Sequence, residues 1–275
     1  MKSWTSNFFT TSNGTKLHYY RTGGEKPPLL LVHGITDDGL CWTPLAKDLE
    51  ADYDIIMLDL RGHGKSDAPD DGYDFVTISG EVADFLNGLS LEKPIVMGHS
   101  IGAITALSVG AYYPDLPRAI VLEDPPPFWD KNPPTPEMKE TKSGIRMWLS
   151  ATKRMTSNDL YAMAQENRKW SEAEISPWVD SKHRFSPKLI DAIADLETLA
   201  DDFLEHVSKI SCPTLLFTAD NAMGAILKPK EASELGQLIP QFEQVNIPDA
   251  GHNIHREQYS IYIKALKTFF EKSND

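Results

Sequence analysis

Short, continuously apolar runs recur through the first half of the chain, and stretches of helical spacing separate them. The runs are Pro28-Leu29-Leu30-Leu31-Val32, Ile55-Ile56-Met57-Leu58, Ile95-Val96-Met97 and Ala119-Ile120-Val121-Leu122. A strand that is apolar at consecutive positions shows a hydrophobic side to both faces of its sheet, so both faces must be covered. Between the runs, Trp42 to Leu49, Val82 to Leu89 and Ile101 to Tyr113 read as helices; Val82, Phe85, Leu86 and Leu89 fall on one helical face. Strands alternating with helices predict a mostly parallel sheet with helices on both sides. Ahead of them, Phe8 to Thr11 and Leu17 to Arg21 flank Asn13-Gly14, a hairpin signal.

The rhythm stops at Pro125-Pro126-Pro127. From about residue 128 to 205 the pattern predicts helices only, around 137–152, 157–170, 171–182 and 187–205, and this stretch holds Trp129, Trp148, Trp170 and Trp178. Strands return at Thr214-Leu215-Leu216-Phe217 and at Phe242 to Ile247, and a helix over about 256–271 follows. The expected organisation is an α/β core, residues 1–127 and 206–275, interrupted by a helical cap over 128–205. A chain of 275 residues buries enough surface to stand without disulfide or metal support.

One strand-to-helix junction carries chemistry. Gly98-His99-Ser100-Ile101-Gly102 sits between an apolar strand and a helix-competent run, the setting in which G-x-S-x-G presents a serine hydroxyl on a strained turn. A neutral serine is a poor nucleophile and needs a neighbouring base.

Three other segments complete a pattern: Val32-His33-Gly34-Ile35 after an early strand, Asp59-Leu60-Arg61-Gly62-His63-Gly64-Lys65-Ser66-Asp67, and Pro248-Asp249-Ala250-Gly251-His252 after the last strand. Together with the elbow and the helical insert, they make the chain resemble the α/β-hydrolase fold superfamily, in its serine carboxylesterase-like branch with a helical cap. The resemblance implies Ser100 as nucleophile and His252 as base. It puts the backbone N–H groups of Ile35 and Ile101 at an oxyanion hole. It offers two places for the acid that orients the histidine. Asp220 after Phe217 is the favoured one, although the family's usual spacing from a glycine is not kept there; Asp124 and Glu123 at the end of the Ala119 strand are the alternatives. Trp42, Trp129 and Trp148 are expected to line an apolar pocket between cap and core. The implied reaction is ester hydrolysis through an acyl-enzyme, without cofactor or metal. The same triad could act on a carbon–carbon bond, thioester, lactone or amide, and a triad-bearing ligand receptor is the non-enzymatic alternative.

Charge and composition narrow the partners. A formal net charge of −13 argues against nucleic acid and anionic membranes, leaving a small-molecule substrate. The two cysteines, Cys41 and Cys212, suggest free thiols in a reducing compartment, and neither a signal-peptide core nor a membrane-length apolar run is visible, so a cytoplasmic protein is expected. Oligomeric state is not readable from the sequence.

Overall fold

The computed structural model describes residues 4–129, 136–167, 170–192, 199 and 202–273. The hairpin forms first: β1 (Thr5–Thr10) and β2 (Lys16–Arg21) pair antiparallel, with Gly14 at φ 89° in the turn. The apolar runs then become β3 (Pro28–Val32), β4 (Asp54–Leu58), β5 (Ile95–His99) and β6 (Ala119–Glu123), and the later ones β7 (Thr214–Thr218) and β8 (Phe242–Asn246). They form one eight-stranded sheet in the order β1-β2-β4-β3-β5-β6-β7-β8. From β4 to β8 every pairing is parallel, and the hairpin joins this set antiparallel through β2 and β4.

The consecutive apolar positions do what their pattern requires. Leu30, Val32, Ile56, Leu58, Val96, Ile120, Leu122 and Leu216 enter one core. Their neighbours Leu29, Leu31, Ile55, Met57, Ile95, Met97, Val121 and Leu215 enter a second core on the opposite face. Helix α1 (Thr43–Leu49) and the C-terminal helix cover the second face; α2 (Phe75–Gly88) and α3 (Ile101–Tyr112) cover the first. Helix α2 begins seven residues before the predicted start because Asp74 caps it, its carboxylate accepting from Thr77 N–H at 2.9 Å.

Between β6 and β7 the described residues contain helices and no strand: α4 (Pro136–Thr152), α5 (Ser157–Asn167), α6 (Glu172–Arg184), α7 (Lys188–Asp191) and α8 (Phe203–Val207). Part of the predicted 187–205 helix, residues 193–198, 200 and 201, lies outside the described residues. Helices α5 and α6 build a small core of their own around Leu160, Trp170 and Trp178, whose indole rings meet edge-on at 5.4 Å. Helix α8 instead packs on α3, with Phe203 and Val207 in the first core. After β7 come α9 (Pro229–Leu238) and, after β8, α10 (Ile254–Glu257) and α11 (Tyr259–Lys272), which replace the single predicted terminal helix.

Among the described residues no helix is long and apolar enough to cross a membrane, and no group of three or more His, Cys, Asp or Glu is placed to hold a metal ion. Cys41 and Cys212 are buried free thiols.

Candidate active site

The serine turn is tight for a reason that lies in two glycines. A Cβ on Gly98 would collide with the carbonyl of Gly102, and one on Gly102 would collide with the carbonyl of Val32, so only hydrogen fits at either place. Ser100 between them takes φ 56° and ψ −121°, a conformation L-residues avoid. Its N–H donates to Glu123 O at 2.9 Å, which ties the turn to the end of β6. The strain sets the side chain at the carboxyl end of β5, directly before the N-terminus of α3.

The loop after β3 lies against this turn. A Cβ on Gly34 would stand 3.3 Å from the Cβ of Ser100. Leu60 N–H donates to His33 Nε2 at 3.1 Å, so His33 carries its proton on Nδ1 and donates it to Gly34 O at 2.8 Å. Asp37 N–H donates to the same carbonyl at 3.1 Å. In a trans peptide the C=O and the following N–H point in opposite directions. Pinning the Gly34 carbonyl therefore aims the Ile35 N–H the other way. Neither Ile35 N–H nor Ile101 N–H has a partner among the described residues. Ile101 opens α3, where unpaired donors and the helix dipole favour negative charge.

His252 arrives from the loop after β8. Glu257 on α10 braces that loop, accepting from Gly251 N–H at 2.6 Å and from Asn253 N–H at 3.3 Å, one on either side of the histidine. His99 adds a third brace: its Nε2–H donates to His252 O at 2.9 Å, and the two rings lie 4.6 Å apart. Burial, reinforced by its histidine neighbours, holds the His99 imidazole well below its usual range, so it stays a neutral donor. These contacts place the His252 backbone beside the residue that precedes Ser100.

The carboxylate that meets His252 is Asp124, not Asp220. Asp124 Oδ2 accepts from His252 Nδ1 at 2.6 Å, with Asp124 fully buried and the histidine side chain 24% exposed. Two backbone amides complete the carboxylate's environment: Ile226 N–H on Oδ2 at 2.8 Å and Leu227 N–H on Oδ1 at 2.9 Å. Acceptor-only oxygens on Nδ1 put the imidazole proton there and leave Nε2 as the acceptor. Asp124 itself sits at φ 41°, a second strained non-glycine residue at this sheet edge.

Asp220 has different work. It is exposed and caps the turn Asn221–Met223, its Oδ1 accepting from Ala222 N–H at 2.8 Å. The loop after β7 delivers the amides of Ile226 and Leu227 to Asp124 rather than a carboxylate to His252. Glu123, the other alternative, is engaged elsewhere: it accepts from His255 Nδ1 at 2.8 Å, His255 N–H at 3.0 Å and Tyr262 O–H at 2.9 Å.

The three tryptophans expected in one pocket are not brought together. Trp42 is buried in the second core with its ring 4.6 Å from that of His255, Trp129 is buried in the first core, and Trp148 is 36% exposed on α4. Sequence reading missed Asp37, Glu257 and Arg256, all of which hold the loops of this site. The run Gly251-His252-Asn253 with Glu257 four residues further on, where α10 ends, is the signal that could have found one of them.

The model for the alpha/beta hydrolase fold matches residues 27–259 of the chain. The chain is 27% identical to N-formylmaleamate deformylase of Pseudomonas putida over 275 aligned residues, covering 98% of each protein. It is 25% identical to 2-(acetamidomethylene)succinate hydrolase of Mesorhizobium japonicum, across 91% of this chain and 90% of that one. The crystal structure of E-2-(acetamidomethylene)succinate hydrolase superposes with a TM-score of 0.82 at 22% identity, covering 98% of this chain and 100% of that one.

Proposed function

Because the chain belongs to the α/β-hydrolase fold family, we propose that it is a serine hydrolase in which Ser100 attacks the acyl carbon of a small substrate, His252 moves the proton and Asp124 orients His252. The observation that supports this reading is the contact of 2.6 Å between His252 Nδ1 and a buried carboxylate, which leaves Nε2 free to act as a base, on a loop whose His252 carbonyl accepts from His99, the residue before the strained Ser100.

The chemistry follows in two halves. Ser100 Oγ bonds to the carbonyl carbon while its proton passes to His252 Nε2. The carbonyl oxygen becomes an oxyanion, which the N–H groups of Ile35 and Ile101 stabilise; one such donor is typically worth about 10²–10³ in turnover. His252 returns the proton to the leaving nitrogen or oxygen as its bond to carbon breaks. Water then attacks the acyl-Ser100 ester with His252 again as base, releasing the acid and restoring the serine. Asp124 stays ionised throughout and stabilises the imidazolium.

The two relatives matched over nearly their whole length are named for substrates that carry formyl and acetamido groups. They support a short N-acyl substrate with a nitrogen leaving group, and a carboxylic ester of similar size is the second reading, reached through the same acyl-enzyme. A panel of N-formyl and N-acetyl enamides set against p-nitrophenyl esters of the same acids tests both. Turnover that disappears in Ser100→Ala supports the serine mechanism, and the ratio of kcat/KM between amide and ester assigns the leaving group. Turnover that survives Ser100→Ala rejects it.

A further inference from the structure

The proposed reaction needs two irregular loops held in register, one carrying Ile35 and the other His252. A single buried carboxylate sits on the first and reaches the second through Arg256. Asp37 follows Ile35 by two residues, and its own N–H is one of the two donors on the Gly34 carbonyl. Its Oδ2 accepts from Arg256 Nη2 at 2.7 Å, and Arg256 Nη1 donates to Asn253 Oδ1 at 2.9 Å, next to His252. Its Oδ1 accepts from Lys182 Nζ at 2.5 Å, and that ammonium also donates to Thr36 O at 3.3 Å.

Lys182 belongs to α6, in the helical insert, and its side chain is wholly buried; Arg256 is 2% exposed and Asp37 is 5% exposed. The indoles of Trp178 and Trp170 lie against the two cations, at 4.6 Å from Lys182 Nζ and 5.0 Å from Arg256 Cζ. Glu174, also on α6, approaches Arg256 Nε at 3.6 Å. A second ion pair runs from α6 to the same loop, Arg184 Nε to Asp38 Oδ2 at 2.5 Å. Burial opposes the charge on Asp37, but Arg256 and Lys182 together hold its carboxyl well below the usual carboxylate range.

Buried ion pairs add little net stability compared with apolar side chains of the same volume. Their concentration where the insert meets both loops points to geometry rather than to stability. We propose that Asp37 is a positioning residue that, with Lys182 docked on it and Arg256 held by it, couples the seating of α6 to the alignment of the Ile35 amide and the His252 loop. Asp37 touches neither substrate nor reacting atoms. It acts through the Gly34–Ile35 peptide on one side and through Arg256 and Asn253 on the other. The inference rests on the proposed role of Ser100.

Lys182→Met tests it. Methionine fills similar space and leaves Asp37 paired with Arg256. A lower thermal midpoint with a cooperative transition is expected, since one partner of a buried pair is lost; in the folded protein kcat should fall by about 10–100-fold because small misplacements of catalytic groups carry penalties of that order, and KM should change less than threefold. Phosphonylation of Ser100 by a fluorophosphonate should slow by the same factor as kcat, because that reaction also develops charge at the oxyanion position. Equal phosphonylation rates in Lys182→Met and the unaltered protein overturn the positioning role while leaving the nucleophile intact. Absence of phosphonylation in the unaltered protein overturns both. Should Lys182→Met fail to melt cooperatively, Arg184→Gln probes the same coupling through the partly exposed neighbouring pair: a three- to tenfold fall in kcat at constant KM supports it, and an unchanged kcat rejects it.

Discussion

Glu123 and Asp124 are consecutive residues at the end of one strand, and His252 and His255 lie three residues apart in one loop and helix. The fold makes two acid–histidine pairs from them, with opposite characters. In the Glu123–His255 pair both side chains are sealed, at 0% and 2% exposure, and Tyr262 adds another donor to the carboxylate. Burial raises the Glu123 pKa, but His255 and His99 together outweigh it, and the carboxyl is lowered to about 2. In the Asp124–His252 pair the carboxylate is equally buried, but the imidazole is 24% exposed, at the carboxyl edge of the sheet that also carries Ser100. Residue types do not separate the two pairs. Access of the second imidazole nitrogen does.

The contrast can be broken from either side. Asp124→Asn should lower kcat/KM by roughly 10⁴, the size seen when a triad aspartate is neutralised and the histidine takes the wrong tautomer. Steady-state kinetics and a melting curve on the same preparation check that the loss exceeds any loss of folded protein. Glu123→Gln should do the reverse: about 3–5 kcal/mol of stability lost by denaturant titration, as for one partner of a buried pair, with kcat of the folded enzyme within tenfold.

The acid limb sharpens the same distinction. Glu123 ionises at about 2 in the folded protein against an ordinary value of 4.5. A depressed folded-state value means that its contribution to stability is complete above about 4.5 and is lost as the pH falls from there towards 2. Urea midpoints measured across that window should fall steeply in the unaltered protein and less steeply in Glu123→Gln. The smallest effect is expected at Asp220. Removing a capping carboxylate typically costs about 1 kcal/mol, so Asp220→Asn should leave kcat/KM within threefold and Asp220→Ala should lower the melting point slightly.

Much of the frame is readable from the chain because it depends on local rules. Short apolar runs bounded by turn signals read as strands buried on both faces, and the strands β3 to β8 lie within two residues of their expected bounds. Gly98 and Gly102 mark the elbow because no other side chain fits there. Which carboxylate meets His252 is decided nonlocally. Spacing after β7 favours Asp220, but which carboxylate reaches His252 depends on the turn at Asp124, its φ of 41°, and two amides from residues 226 and 227. The Asp37 node is equally invisible in one dimension: its two partners, Lys182 and Arg256, lie 145 and 219 positions from it. The tryptophans show the limit of composition, since two of the three expected in a pocket are absorbed by separate cores.

The most direct measurement is the rate at which a fluorophosphonate modifies the intact protein, followed by mass spectrometry with peptide mapping. The account predicts one adduct, on Ser100, absent in Ser100→Ala, slowed at least a hundredfold in Asp124→Asn and unchanged in Asp220→Asn. An adduct elsewhere, or a rate that depends on Asp220 and not on Asp124, would contradict it.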